Sequence, residues 1–304
     1  MRKTGRVIAW MSAALLMMIM ATAAQAACPP DGWDEAALAR LRATRFELPD
    51  EARRIALAQA LLDCLADARP QLRDETAFEA LSTWLRAGLL PVAQLDAMRI
   101  ELTRRLTADD PSGFARPFAA LVLAELARVD RLTPFLDTSA RETMLRDALA
   151  YERGVRDYRG FDAVLGWRHG VAHGADWLLQ LALNPALGGA ALTEIAAAVA
   201  TQVAPTGEHF YIYGESERLA RPIFYAAQRG LHDAAFWSAW LTALAAPAPL
   251  PRWNEAFKSQ AGLARRHNTQ AFIQTLYVMV RVSGDEALVQ RLQPGLLAAL
   301  KALS

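Results

Sequence analysis

Gly166-Trp167-Arg168-His169-Gly170-Val171-Ala172-His173-Gly174-Ala175-Asp176-Trp177 is the stretch on which the fold reading turns. Gly166, Gly170 and Gly174 recur every four residues, which places them on one strip of a helix. Each glycine costs a helix interior about 1 kcal/mol relative to alanine, and the usual compensation is a second helix packed close against the strip. The stretch therefore predicts a central, buried helix over residues 163–183.

Outward from it the helical period holds in both directions, and almost nowhere do apolar residues alternate with period two. The spacing predicts helices over residues 34–46, 50–67, 72–87, 92–107, 114–129 and 139–157 on the N-terminal side. On the C-terminal side it predicts them over 190–203, 216–229, 233–245, 252–266, 268–282 and 285–302. Breakers stand where this pattern needs them: Pro49, Pro70, Pro91, Pro111, Pro134, Asn184-Pro185, Pro205, Gly230, Pro247, Pro249 and Gly284. Short helices joined by short loops imply an all-α fold of antiparallel helix pairs, either a helical-repeat (HEAT-like) α-solenoid or a closed α/α-toroid. No strict repeat of fixed length is visible, so the repeats are divergent ones. Residues 205–214, Pro-Thr-Gly-Glu-His-Phe-Tyr-Ile-Tyr-Gly, break the pattern and read as an extended loop or small hairpin, the kind of segment on which function concentrates.

Residues 1–26 carry Arg2, Lys3 and Arg6, an apolar run from Val7 to Ala21, and then Ala24-Gln25-Ala26, the order of a secretory signal peptide cut after Ala26. That leaves residues 27–304 as a single all-α domain, with a sub-division near residues 130–138 left open. No later apolar run is free enough of charge to cross a bilayer. The expected location is exported and periplasmic. The competing lipoprotein reading at Cys28 is weakened by Gln25, where such signals carry an aliphatic residue. Cys28 and Cys64 are the two cysteines, and an exported chain with an even count favours a disulfide between them. The formal charge of +1 becomes about −2 once the three cations of the signal are gone, which argues against a nucleic-acid partner.

On a continuous helix His169, His173 and Asp176 would share a strip about 60° wide. Two imidazoles one turn apart with a carboxylate nearby suit zinc or another divalent metal, the open position making the site catalytic. The same three residues also suit internal polar glue between helices, or metal-free acid–base work. Asp162 falls on the strip two turns earlier, and Asp157 and Arg159 stand just upstream. Glu215, Glu217 and Arg218 open the helix after the aromatic loop, and His209 lies on the loop itself. All five histidines are in the C-terminal half, together with many aromatics, Trp167 among them. There is no Gly-x-Ser-x-Gly elbow, phosphate-cradling glycine loop or dinucleotide fingerprint, and no histidine lies near either cysteine.

The order Asp157-x-Arg159-Gly160-Phe161, then Gly166-Trp167-x-His169-x-Val171-Ala172-His173-Gly174-Ala175-Asp176, then Glu215-x-Glu217-Arg218-Leu219, resembles the bacterial family called domain of unknown function 2785. The resemblance covers roughly residues 60–300. It implies an all-α protein in which the three blocks meet, and it implies no activity. The block also resembles superficially the Gly-x-x-His-Gly element of lanthipeptide cyclases. Those enzymes hold zinc with two cysteines and a histidine, whereas no cysteine follows Cys64, so cyclase chemistry is not implied.

Three functions are consistent with these residues. The first is a zinc-dependent hydrolase, with His169, His173 and Asp176 as ligands, Glu217 as general base, and Arg159 or Arg218 orienting an anionic group. The second is a non-catalytic periplasmic binding or scaffold protein, and the third a metal-free carbohydrate-active enzyme using Asp162 and Glu215 across an aromatic cleft. The expected partner is a small molecule, a glycan or a peptide.

Overall fold

A computed structural model describes residues 28–303, so the segment read as a signal peptide lies outside the described residues. The described chain is all-α: thirteen helices and one two-stranded hairpin. The order is α1 Glu35–Ala43, α2 Glu51–Cys64, α3 Pro70–Leu72, a π-helical segment Arg73–Phe78, α4 Glu79–Arg86, α5 Val92–Leu106, α6 Ala115–Leu132 and α7 Thr138–Gly154. Then come β1 Phe161–Asp162, β2 Gly166–Trp167, α8 Gly170–Ala182, α9 Gly189–Val203, α10 Glu215–Gln228, α11 Ala234–Leu244, the 3-10 turn Trp253–Lys258, α12 Gln260–Val282 and α13 Glu286–Leu303. Among the described residues no helix is long and apolar enough to cross a membrane.

Side-chain caps set several of the starts. Asp34, Asp50, Asp137, Asp233 and Ser259 each accept a hydrogen bond from a backbone N–H in the first turn that follows. Asp137 caps α7 through the Ala140 amide at 2.7 Å. Asp137→Ala should destabilise the protein by about 1 kcal/mol in urea unfolding, and an unchanged midpoint would mean that α7 does not depend on its cap.

The helices pack alternately: α6 against α8, α8 against α10 and α10 against α12, with α7 against α9 and α11 against α13. Helix α8 is thereby enclosed by α6, α7, α9 and α10, the central position that the glycine spacing predicts. Trp84, Trp177 and Trp237 are fully buried, and the core forms one connected cluster from Leu41 to Leu303. At residues 130–138 the Asp130 carboxylate accepts from the Phe135 and Leu136 amides, from Arg141 and from Asn184, tying the α6–α7 corner to the end of α8. Cys28 and Cys64 form a disulfide, with Cα atoms 5.1 Å apart, that fastens residue 28 to the last residue of α2.

Two predicted boundaries are corrected. Residues 252–266 and 268–282 are not two helices: a 3-10 turn ends at Lys258, and α12 then runs unbroken through Arg265-Arg266-His267-Asn268. Those residues contain no breaker, and the buried Asn268 instead holds the aromatic loop. Its Oδ1 accepts from the Tyr211 amide, and its Nδ2 donates to the His209 carbonyl. The second correction moves the start of the central helix from residue 163 to Gly170, and it reshapes the site.

Candidate functional site

Asp162, four residues before Gly166, makes a turn instead of a helical strip. Its carboxylate accepts from the Val164 and Leu165 amides, both at 2.8 Å, and Gly166 takes a left-handed φ of +71°. Phe161 then pairs with Trp167 and Asp162 with Gly166 across the hairpin. The fully buried Arg73 donates to the Leu165 carbonyl at 2.7 Å and so pins the turn to the N-terminal half. The backbone continues with Arg168 and His169 donating to the Gly160 and Arg159 carbonyls.

His169 stands at the N-cap of α8 with φ 57° and ψ 38°, in the left-handed region that residues other than glycine enter at a cost. It therefore does not share a helix face with His173 and Asp176, and the expected strip of three is not formed. Its imidazole is nearly enclosed. It stacks on Trp167 (ring centroids 4.8 Å apart, planes at 23°) and lies edge-on to His173 at 5.9 Å. Its Nε2 is buried without a hydrogen bond, 3.9 Å from the Oε1 atom of Glu215, which is also buried and unpaired. The other carboxylate oxygen of Glu215 accepts from the Tyr213 amide at 2.8 Å. The ring of Tyr213 lies over Gly160 so closely that a Cβ there would meet ring carbons, and it meets Trp167 edge-on at 5.9 Å. Phe161 completes an aromatic rim at 5.0 Å from Trp167.

Deeper in, Nδ1 of His173 donates to the Pro117 carbonyl at 3.1 Å, which leaves Nε2 as the acceptor of a neutral ring. Asp176 pairs with Arg218 at 2.9 Å. Glu152, wholly buried on α7, has no hydrogen-bond partner for either oxygen. It occupies the space that Gly174 leaves open, since a Cβ on Gly174 would collide with its Oε2. The Ser216 hydroxyl, Nε2 of His209 and Nε of Arg218 are buried and unpaired as well.

Burial dominates the protonation states. It lowers His169 to about 4, with Arg218 adding to the effect and a hydrogen bond to the Tyr213 backbone opposing it. His173 is pushed well below its usual range by burial, then by His169 and Arg218. Asp176 is raised to about 6 by burial against the pull of Arg218. Glu152 is raised well above the usual carboxyl range by burial, with Asp176 adding repulsion. At neutral pH the site therefore holds two neutral imidazoles, burial favours the neutral form of Glu152, and the approach of His169 to Glu215 is not an ion pair.

The predicted site residues separate into two groups. His169, His173, Asp176, Glu215, Arg218 and Trp167 gather at the start of α8 and α10. Glu217 does not join them: it faces solvent and pairs with Arg221 one turn on, so it is not placed as a general base. Arg159 and Asp157 pair with each other, half exposed, and Asp162 stays in the hairpin turn, unmatched with Glu215. His209 stacks on Tyr158 and feels the charge of Glu215, while burial lowers its pKa. The metal reading does not fit this arrangement. Among the described residues no three His, Cys, Asp or Glu side chains are placed to hold an ion. Arg218 already neutralises Asp176, and the peptide carbonyl of Pro117 already engages His173. Glu152, Ser216 and Tyr213 were not among the expected residues. Glu152 had a signal: with Met144 and Ala148 it repeats every fourth residue along the buried stripe of α7, a charge where the period calls for an apolar side chain.

No curated protein and no solved structure matches the chain. A family profile described as protein of unknown function, domain of unknown function 2785, matches residues 102–278. The match runs from the end of α5 into α12 and contains the hairpin, the His169 cap and the start of α10. With more than half of its length matched, the chain belongs to the family known as domain of unknown function 2785.

Proposed function

We propose that this buried polar cluster binds a small polar ligand and moves a proton on it without a metal, in an exported protein built from divergent helical repeats. One observation carries the reading: His169 Nε2 and Glu215 Oε1, both buried and unpaired, face each other 3.9 Å apart. Buried polar atoms are seldom left unpaired, and a hydroxyl or amine of a ligand, able both to donate and to accept, supplies a partner for both. His169 is the proton acceptor, Glu215 orients the donor, and Arg218 binds an anionic portion. Trp167, Phe161 and Tyr213 form the wall for a ring, as in a glycan or an aromatic peptide side chain. Export is supported by the disulfide, which suits an oxidising compartment and uses the Cys28 sulfur that a lipid anchor would need. The alternate packing of helices supports the repeat reading.

The test is nitrogen NMR of the His169 ring during a screen of oligosaccharides, peptides and small carboxylic acids. The expected hit shifts the His169 Nε2 resonance and binds His169→Gln at least about tenfold more weakly, in line with the loss of a buried hydrogen bond. Hits that bind His169→Gln as well as the wild type would sink the assignment. A stoichiometric shift of Nε2 on adding one equivalent of zinc would restore the metal reading.

A further inference from the structure

On the far side of the first turn of α8 lies a cavity of about 760 Å³, between the end of α5, the start of α6 and the end of α7. Its volume is that of a small-molecule site. Gly170 forms part of its wall, but His169 and His173 do not, so it is separate from the polar cluster described above. The apolar part of the wall is made by Leu106, Pro117, Ala150, Val155 and the ring of Tyr151, whose hydroxyl donates to the Gly170 carbonyl.

Five charged side chains border the cavity, and four of them are satisfied by the protein itself. Asp110 accepts from the Ser112 hydroxyl and from the Gly113 and Arg116 amides. Asp157 is paired with Arg159. The Arg116 guanidinium donates to the Ala108 carbonyl, and that of Arg156 donates to the Arg153 and Val155 carbonyls. The fifth, Asp147, is half-buried in the wall and makes no hydrogen bond or ion pair. Burial raises its pKa, with the charges of Arg146 and Arg99 opposing. A lone carboxylate beside an apolar, aromatic wall is complementary to a cation on an apolar body.

We infer that this cavity is a second binding site, for an organic ammonium with an aromatic or aliphatic body, and that Asp147 receives the ammonium group. Three probes of nearly equal shape test it by titration calorimetry on the whole chain at pH 7.5: 2-phenylethylammonium, 2-phenylethanol and 3-phenylpropionate. The ammonium should bind at least about tenfold more tightly than the other two, the size of a charge-assisted hydrogen bond in a partly desolvated site. Asp147→Asn, which breaks no contact of the folded protein, should bring its affinity down to that of the alcohol. Ala150→Trp, which narrows the cavity one helical turn from Asp147 without altering charge, should weaken its binding at least about tenfold while the thermal melt stays cooperative. Equal binding of the three probes, no binding of the ammonium, or an unchanged affinity in Asp147→Asn would overturn the inference.

Discussion

Glu152→Gln is expected to gain stability over the wild type as pH rises from about 5, by about 1.4 kcal/mol for each pH unit until the folded-state pKa of Glu152 is passed. The Glu152 carboxyl is buried with both oxygens unpaired, and its folded-state pKa lies well above the ordinary value of 4.5. Between those two values the unfolded chain has released the proton and the folded chain still holds it. The stability tied to that proton is complete below the unfolded value and is lost progressively as pH rises. Glutamine keeps the size and shape of the side chain and stays neutral throughout, so the loss disappears with the substitution. The window from pH 6.5 to 8 is the cleanest. By its upper end His169 and His173 are neutral in both states, and Asp176, raised to about 6, has finished titrating. Urea unfolding of both proteins at pH 5, 6, 7 and 8 measures the slope directly. A difference that stays flat across that range would mean that Glu152 is ionised in the folded protein and has found a cationic partner.

Much of the scaffold can be read from the sequence because helix period and capping are local. Asp137 before Thr138 and Asp233 before Ala234 announce their helices within one turn. The glycine strip foretold that α8 would be central, and Gly174 meets α7 as that spacing requires. What the period could not show is where α8 begins. Gly166 and Gly170 fit the strip equally well in helical registration, yet Gly166 ends a hairpin, and the decision rests on Asp162 capturing two amides and on Arg73, 92 residues away, capturing the Leu165 carbonyl. A long-range hydrogen bond of that kind leaves no periodic trace. The consequence is chemical. On a continuous helix His169 would present a ligand pair with His173, whereas at a left-handed cap its ring turns onto Trp167 and toward Glu215. Glu215 and Glu217 show the same limit. Two residues apart at a helix start, both suit the dipole, and only the packing of Tyr213 decides that the first is buried and the second solvated.

His169→Asn is the complementary experiment, because it separates what the site contributes to stability from what it contributes to function. Asparagine tolerates the left-handed conformation at φ 57° better than most residues, so at pH 7 the variant should stay within about 1 kcal/mol of the wild type. In acid the two should diverge. The His169 imidazole is held at about 4 in the folded protein against 6.5 in the unfolded chain, so the stability tied to its neutral form is complete above 6.5 and lost as pH falls through 4. The lowered value corresponds to about 3 kcal/mol, and His169→Asn should exceed the wild type by about that amount near pH 4. His173, also buried and neutral, keeps its own acid sensitivity in both proteins, so the variant still unfolds in acid, only later. Acid unfolding followed by tryptophan fluorescence resolves the difference. Identical acid transitions would show that the His169 ring is not the group protonated on unfolding. A more acid-resistant variant that no longer binds ligand would give the residue a clear meaning: the chain keeps a strained, desolvated imidazole that weakens its fold, and such a residue is explained by what it does to a bound molecule.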